Sequence, residues 1–182
     1  MRAFVAVWPD ERTRRRLGAL ELGRAKNLRL VGPTRWHVTL RFLGEVAEEQ
    51  LGTLGDALVA CAAAQRGPVD CRLGPATAWF PRVRVLQLPA RGVEGLAAAV
   101  RDATVPIVAE PAPGSPPFNG HLTLARARGK LGAEAQAALA GIPFAATFPV
   151  AHVDLVASEP SPQGHLYSTL VRADLGISPG DP

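Results

Sequence analysis

Apolar residues change their spacing along this chain, and the spacing predicts the elements. Residues 2–8 are nearly all apolar and stop at Pro9-Asp10, as a buried strand does. Asp10 is a candidate N-cap for a helix over residues 11–25, whose Arg12, Arg14, Arg15 and Arg16 form a solvated face. Leu28 to Val31 is a short apolar run closed by the turn pair Gly32-Pro33. Residues 35–42 alternate as a strand, and the Ala/Leu-rich stretch 47–64 is a helix broken by Gly67-Pro68. Strands follow at 69–73 and 82–88, joined by a Gly/Pro-bounded loop, and a second Ala-rich helix covers 93–104. Pro106, Pro111, Pro113, Pro116 and Pro117 make 106–117 a loop, which delivers the chain to a strand at 118–125. A short helix at 132–140 and strands at 145–150, 152–158 and 166–173 complete the pattern, with a frayed tail after about residue 175. Strands and helices mix without strict βαβ alternation, so the expectation is an α+β fold.

Two of the predicted strands carry nearly the same phrase: His37-Val38-Thr39-Leu40 and His121-Leu122-Thr123-Leu124. Residues i and i+2 of a strand project from one face. Each phrase therefore sets an imidazole beside a hydroxyl and turns two aliphatic side chains to the other face. Each also opens a comparable part of its half, a strand followed by a helix. That repetition predicts a bilobal, pseudo-two-fold body in one domain spanning 1–182, with a cleft at the axis. Two histidines around one cleft can deliver and remove protons near neutral pH. The hydroxyls of Thr39 and Thr123 can donate to oxygens on which charge develops. Arg41, which follows the first phrase, is expected to point away from His37. Arg126, three residues after Thr123, lies at an odd offset and helps only from the strand end or through a twist.

Composition narrows the chemistry. The 182 residues are 47% hydrophobic, enough for a sizeable core, and carry a net charge of +4 with a pI near 9.8. The basic residues are 18 Arg against Lys26 and Lys130. Arginine is the better fork for phosphate oxygens, so the balance leans toward an anionic partner. Cys61 and Cys71 fit no ligand spacing and read as free thiols. His152 and His165 read as ordinary strand and turn residues. Trp36, Phe42, Trp79 and Phe80 could stack a base but read first as core residues, and only Trp79-Phe80, in a Gly/Pro-flanked loop, is expected to be accessible. Neither a signal-peptide pattern nor an 18-residue apolar run is present, so the expectation is a cytoplasmic protein without a membrane partner. The dinucleotide, P-loop, zincin and nucleophile-elbow motifs are absent.

The paired phrases, together with Arg2-Ala3-Phe4-Val5-Ala6-Val7, Trp36 through Glu45, Trp79-Phe80-Pro81, His121 through Arg126, and Ser158 followed by Tyr167, resemble the two-histidine phosphoesterases. Within that superfamily the chain is most similar to the LigT-like (ThpR) RNA 2′,3′-cyclic phosphodiesterases. The resemblance implies two antiparallel sheets with helices on the outside. It also implies hydrolysis of a 2′,3′-cyclic phosphate at an RNA end to the 2′-phosphate, without metal. No cofactor is expected, and a monomer is the default expectation. It makes His37 the acid that protonates the leaving 3′ oxygen and His121 the base that activates water. Thr39 and Thr123 would hold phosphate oxygens, with Arg126 assisting. Where that family often has Pro before the second histidine, this chain has Asn119-Gly120. Competing expectations are a module that binds RNA ends or nucleotides without cleaving them, a 2′-5′ RNA ligase running the reaction in reverse, and a metal held between the histidines.

Overall fold

The computed structural model describes residues 1–23, 25–80, 84–110, 117–161 and 164–176. Among these, ten strands and four helices follow one another: β1 (Arg2–Val7), α1 (Glu11–Gly18), β2 (Leu28–Leu30), β3 (Val38–Glu45), α2 (Gln50–Ala63), β4 (Val69–Leu73), β5 (Ala78–Trp79), β6 (Val85–Arg91), α3 (Glu94–Thr104), β7 (His121–Ala127), α4 (Ala133–Leu139), β8 (Ala146–Val150), β9 (His152–Ser161) and β10 (Gly164–Asp174). The α+β expectation holds. The tail beyond Gly176, the middle of the proline-rich loop and the first residues of the strand expected at 82–88 lie outside the described residues.

Helix α1 ends seven residues before its predicted boundary. Asp10 caps it as expected, accepting from Thr13 N at 2.7 Å, and Leu17 is buried. Beyond Gly18 the chain leaves the helix and turns Leu20 and Leu22 onto the core in irregular conformation. The expected strand at 35–42 starts later, at Val38, because Pro33–Arg35 forms a single 3₁₀ turn that leads into it. Strand β5 lies inside the expected loop and pairs with β6 at Ala78↔Gln87 and Trp79↔Leu86.

The strands form one continuous antiparallel path, β10-β9-β1-β3-β7-β6-β4-β8. It divides into two halves, β10-β9-β1-β3 and β7-β6-β4-β8. They meet at a seam of one register pair, Val38↔Leu122, and both side chains are fully buried. These are the aliphatic residues inside the two repeated phrases, so the pseudo-symmetry seen in the sequence is centred on the seam. The expected two sheets are thus two halves joined edge to edge. Helix α2 packs against β9, β10 and α3, and α3 packs on β3. One buried cluster runs from Val5 and Leu40 through Leu54 and Leu58 to Leu88, Val100, Leu124 and Phe148, so both halves share a core.

Both central strands carry the same irregularity. Across β1 and β3 the register passes from Ala6↔Thr39 to Val5↔Arg41, and across β6 and β7 from Gln87↔Thr123 to Leu86↔Ala125. Leu40 and Leu124 are each skipped, as an extra residue in a β-bulge is. The bulge reverses strand parity one residue after each threonine.

Candidate active site

A single register pair at Val38↔Leu122 places four side chains. In an antiparallel pair, His37 then lies opposite Thr123 and Thr39 opposite His121. All four share the face away from the buried Val38 and Leu122. The two histidines are diagonal neighbours across the seam, a relation that sets Cα atoms about 7–8 Å apart. Their spacing leaves room for a small tetrahedral group.

Both rings are oriented in the same way. His37 Nδ1 lies 2.8 Å from the carbonyl of Arg35, and His121 Nδ1 lies 2.8 Å from that of Asn119, two residues back in each case. A carbonyl only accepts, so each Nδ1 carries the hydrogen and each neutral ring leaves Nε2 as the open acceptor. The second histidine achieves this after Asn119-Gly120. A Cβ on Gly120 would collide with the Ala90 carbonyl and sit 3.2 Å from Phe118 Cε1. The glycine therefore allows the close approach in which Ala90 N bonds to Gly120 O at 2.8 Å.

The surroundings of the two rings differ. His37 stacks on Phe4 (ring centroids 5.0 Å apart), with Trp8 at 5.2 Å and Tyr167 edge-on at 5.3 Å. His121 meets only Phe80 among the described rings, edge-on at 4.6 Å. Burial pushes the His37 imidazole down to about 4, against the pull of its bond to the Arg35 carbonyl, and the charges of His121 and Arg126 depress it further. Burial also lowers His121, with Arg126 adding to the effect. Both rings are therefore neutral at pH 7.

The burial of His37 makes stability depend on pH. The unfolded chain takes up the His37 proton near 6.5 and the folded chain only near 4. Stability contributed by keeping that ring neutral is full above pH 6.5 and declines as the pH falls toward 4. After allowance for the ring edge open to the cleft, the loss is about 2–3 kcal/mol. Urea unfolding at pH 7.5 and 4.5 should show His37→Asn losing less stability between the two values than the parent, by that amount. Equal losses would contradict the assignment.

A cavity of about 400 Å³ opens on this face. His37, Thr39, Thr123 and Arg126 line it, and no Asp or Glu is among its described lining residues. His121 is not a lining residue and stands beside Thr123 across the seam. Arg126 reaches the cavity because the bulge at Leu124 returns it to the threonine face, which regular alternation would not do. Arg41 faces away from His37 because the bulge at Leu40 reverses the alternation that would otherwise set it on the histidine face; it is buried with its guanidinium on Thr104 Oγ1 and the Val108 carbonyl.

Several lining residues are not where the sequence placed them. His165, read as an ordinary turn residue, lies on β10 at the cavity with Nδ1 2.9 Å from Ser158 Oγ. Ser158 and Tyr167 are register partners and face the same cavity. Phe42, expected in the core, is 48% exposed at the rim, three residues after Thr39 and on the cavity face for the same reason as Arg126. Trp36 is buried, and Trp79 is half-buried with its indole N–H on the Gln136 carbonyl at 3.0 Å. Both cysteines are free thiols. No helix among the described residues is long and apolar enough to cross a membrane.

Two imidazoles and two hydroxyls thus share one face of an antiparallel sheet, beside an arginine-rich cavity. The chain belongs to the LigT-like phosphoesterases. The profile described as LigT like Phosphoesterase matches residues 7–76. The RNA 2′,3′-cyclic phosphodiesterase of Thermus thermophilus is 31% identical over 189 residues, covering 96% of this chain and 90% of that protein. Among solved structures, TT0787 of Thermus thermophilus superposes with a TM-score of 0.83 at 30% identity, over 97% of this chain and 98% of that one. Escherichia coli LigT complexed with NADP+ does so with a TM-score of 0.75 at 25% identity, again over 97% and 98%.

Proposed function

We propose that this chain hydrolyses the 2′,3′-cyclic phosphate of an RNA end or nucleotide to the 2′-phosphate, with His37 and His121 as the acid–base pair and no metal, in one two-lobed domain. One observation carries the reading: two identically held imidazoles share a face across a one-pair seam, each with a threonine hydroxyl beside it. The relative of 31% identity, named an RNA 2′,3′-cyclic phosphodiesterase, supports the substrate class, as does the nucleotide held by the LigT structure.

In this mechanism the cyclic phosphate sits between the rings. The anion supplies the counter-charge that the cavity lining lacks, which lets the His37 ring take up a proton. The Nε2 of His121 accepts a proton from water as the water oxygen bonds to phosphorus. The bond from phosphorus to O3′ breaks, and His37 gives its proton to O3′. The product is a free 3′-hydroxyl and a 2′-phosphate. The Thr39 and Thr123 hydroxyls and the Arg126 guanidinium donate to the non-bridging oxygens as charge grows on them. The described lining offers these donors and no carboxylate to hold a divalent ion. The described residues contain no group of three or more His, Cys, Asp or Glu placed to bind one.

The test is turnover of a dinucleotide ending in a 2′,3′-cyclic phosphate, by metal-stripped protein in EDTA, with the isomeric products separated. Undiminished turnover to the 2′-phosphate is expected. Activity restored only by added metal, or a 3′-phosphate product, would overturn the proposal.

A further inference from the structure

The cavity is larger in charge than one phosphate requires. Arg29 on β2 is the direct register partner of Arg126 on β7, and both line the cavity. Directly opposed residues of an antiparallel pair have Cα atoms about 4.5–5.5 Å apart, and like charges there oppose pairing. Arg35 joins them from the 3₁₀ turn. The two additional guanidiniums converge at the start of β10: a Cβ on Gly164 would meet Arg35 Nη1 and sit 3.0 Å from Arg29 Nη2. Glycine at that point, with φ +120°, lets the strand enter beneath both. Arg29 forms no ion pair with the described residues, and its charged form is disfavoured by desolvation first and then by the nearby charges of Arg128 and Arg35. From Arg29 an open depression shared with Asn27 and Arg128 leads away from the seam. Arg29 and Arg126, directly opposed like charges on a cleft whose described lining residues include no Asp or Glu, weaken the β2·β7 pairing and become favourable when an anion with more than one phosphate lies over them.

Resting on the cyclic-phosphate reading for the first phosphate, we propose that Arg29 and Arg35 form a second anion subsite. It takes the phosphate on the 5′ side of the reacting ribose. Arg126 and the threonines hold the phosphate undergoing reaction, and the neighbouring arginine of the β2·β7 ladder holds the next one. The substrate is then a nucleotide with phosphates on both sides of its ribose. Either the last phosphodiester of an RNA strand or a free 5′-phosphate meets that requirement.

Equilibrium binding without turnover tests this. The ligands are adenosine 2′-phosphate, adenosine 2′,5′-bisphosphate, and the dinucleotide ApA ending in a 2′-phosphate, each titrated into the parent and Arg29→Gln. In the parent, a second phosphate should tighten binding about 10-fold or more, the scale of charge-assisted hydrogen bonds. In Arg29→Gln that gain should be lost, and the salt dependence of dinucleotide binding should flatten by about 0.7 in log–log slope per lost phosphate contact. Relieving a like-charge pair should leave the melting temperature of Arg29→Gln equal to or above the parent's, which separates the effect from misfolding. A gain with the bisphosphate identifies a free 5′-phosphate as sufficient. A gain with the dinucleotide alone identifies the RNA phosphodiester. No gain in the parent, or a gain that survives Arg29→Gln, overturns the subsite. A parent that shows the gain and yet hydrolyses no cyclic phosphate keeps the subsite and removes the activity.

Discussion

His121→Ala and His37→Gln each lower kcat/KM on a 2′,3′-cyclic nucleotide by about 10²–10⁴-fold, the range for losing a general acid or base. The two rings act on one phosphorus in a single displacement, so the double variant should be little worse than either single one. Independent histidines would instead multiply their losses. The two substitutions differ in their structural effect. His121 touches one described aromatic ring, and its removal should leave the fold intact. His37 is enclosed by Phe4, Trp8 and Tyr167, so glutamine is the better replacement, filling part of the space that alanine would empty. Steady-state kinetics on both variants and the double variant, with folding checked by circular dichroism, measures this. Near-parental activity in either single variant would remove that residue from the proposed pair.

The second large effect is on stability. Leu122 is fully buried and forms, with Val38, the one register pair that joins the two halves of the sheet. Leu122→Ala should destabilise the protein by about 2–5 kcal/mol, the span for a core leucine whose cavity cannot collapse. Its neighbours His121 and Thr123 lie on the opposite face of the same strand, so loosening the seam should also lower turnover while leaving the reacting side chains in place. Urea unfolding read against activity tests both parts. Unchanged stability would mean that the seam does not join the halves as described.

The site was legible where strand alternation is regular and was misread where it is not. The two His-x-Thr phrases sit before their bulges, so alternation placed both histidines and both threonines on one face, and the structure does the same. Past Leu40 and Leu124 the parity reverses, which alternation cannot anticipate. Arg126 therefore enters the cavity face that regular alternation would deny it, and Phe42 leaves the core for the rim. A signal was present: Leu-Arg-Phe-Leu and Leu-Ala-Arg-Ala occupy the same position after each threonine, and a repeat in the phrases implied a repeat in their irregularities. His165 and Arg29 were missed for a different reason. Their roles come from pairing between strands, β10 with β9 and β2 with β7, that local periodicity does not encode. The extent of α1 failed because its last predicted turns are held by tertiary packing of Leu20 and Leu22 and not by helical periodicity.

The central claim is that one phosphate lies between two imidazoles. Nitrogen-15 NMR of the histidine rings during titration with a nucleoside 2′-phosphate tests it most directly. On binding one equivalent, the His37 and His121 Nε2 signals should move together, saturate at the same ligand ratio, and titrate at higher pH than in the free protein, because the anion offsets the burial that holds both rings neutral. Movement of one ring alone, or saturation of the two at different ligand ratios, would contradict it.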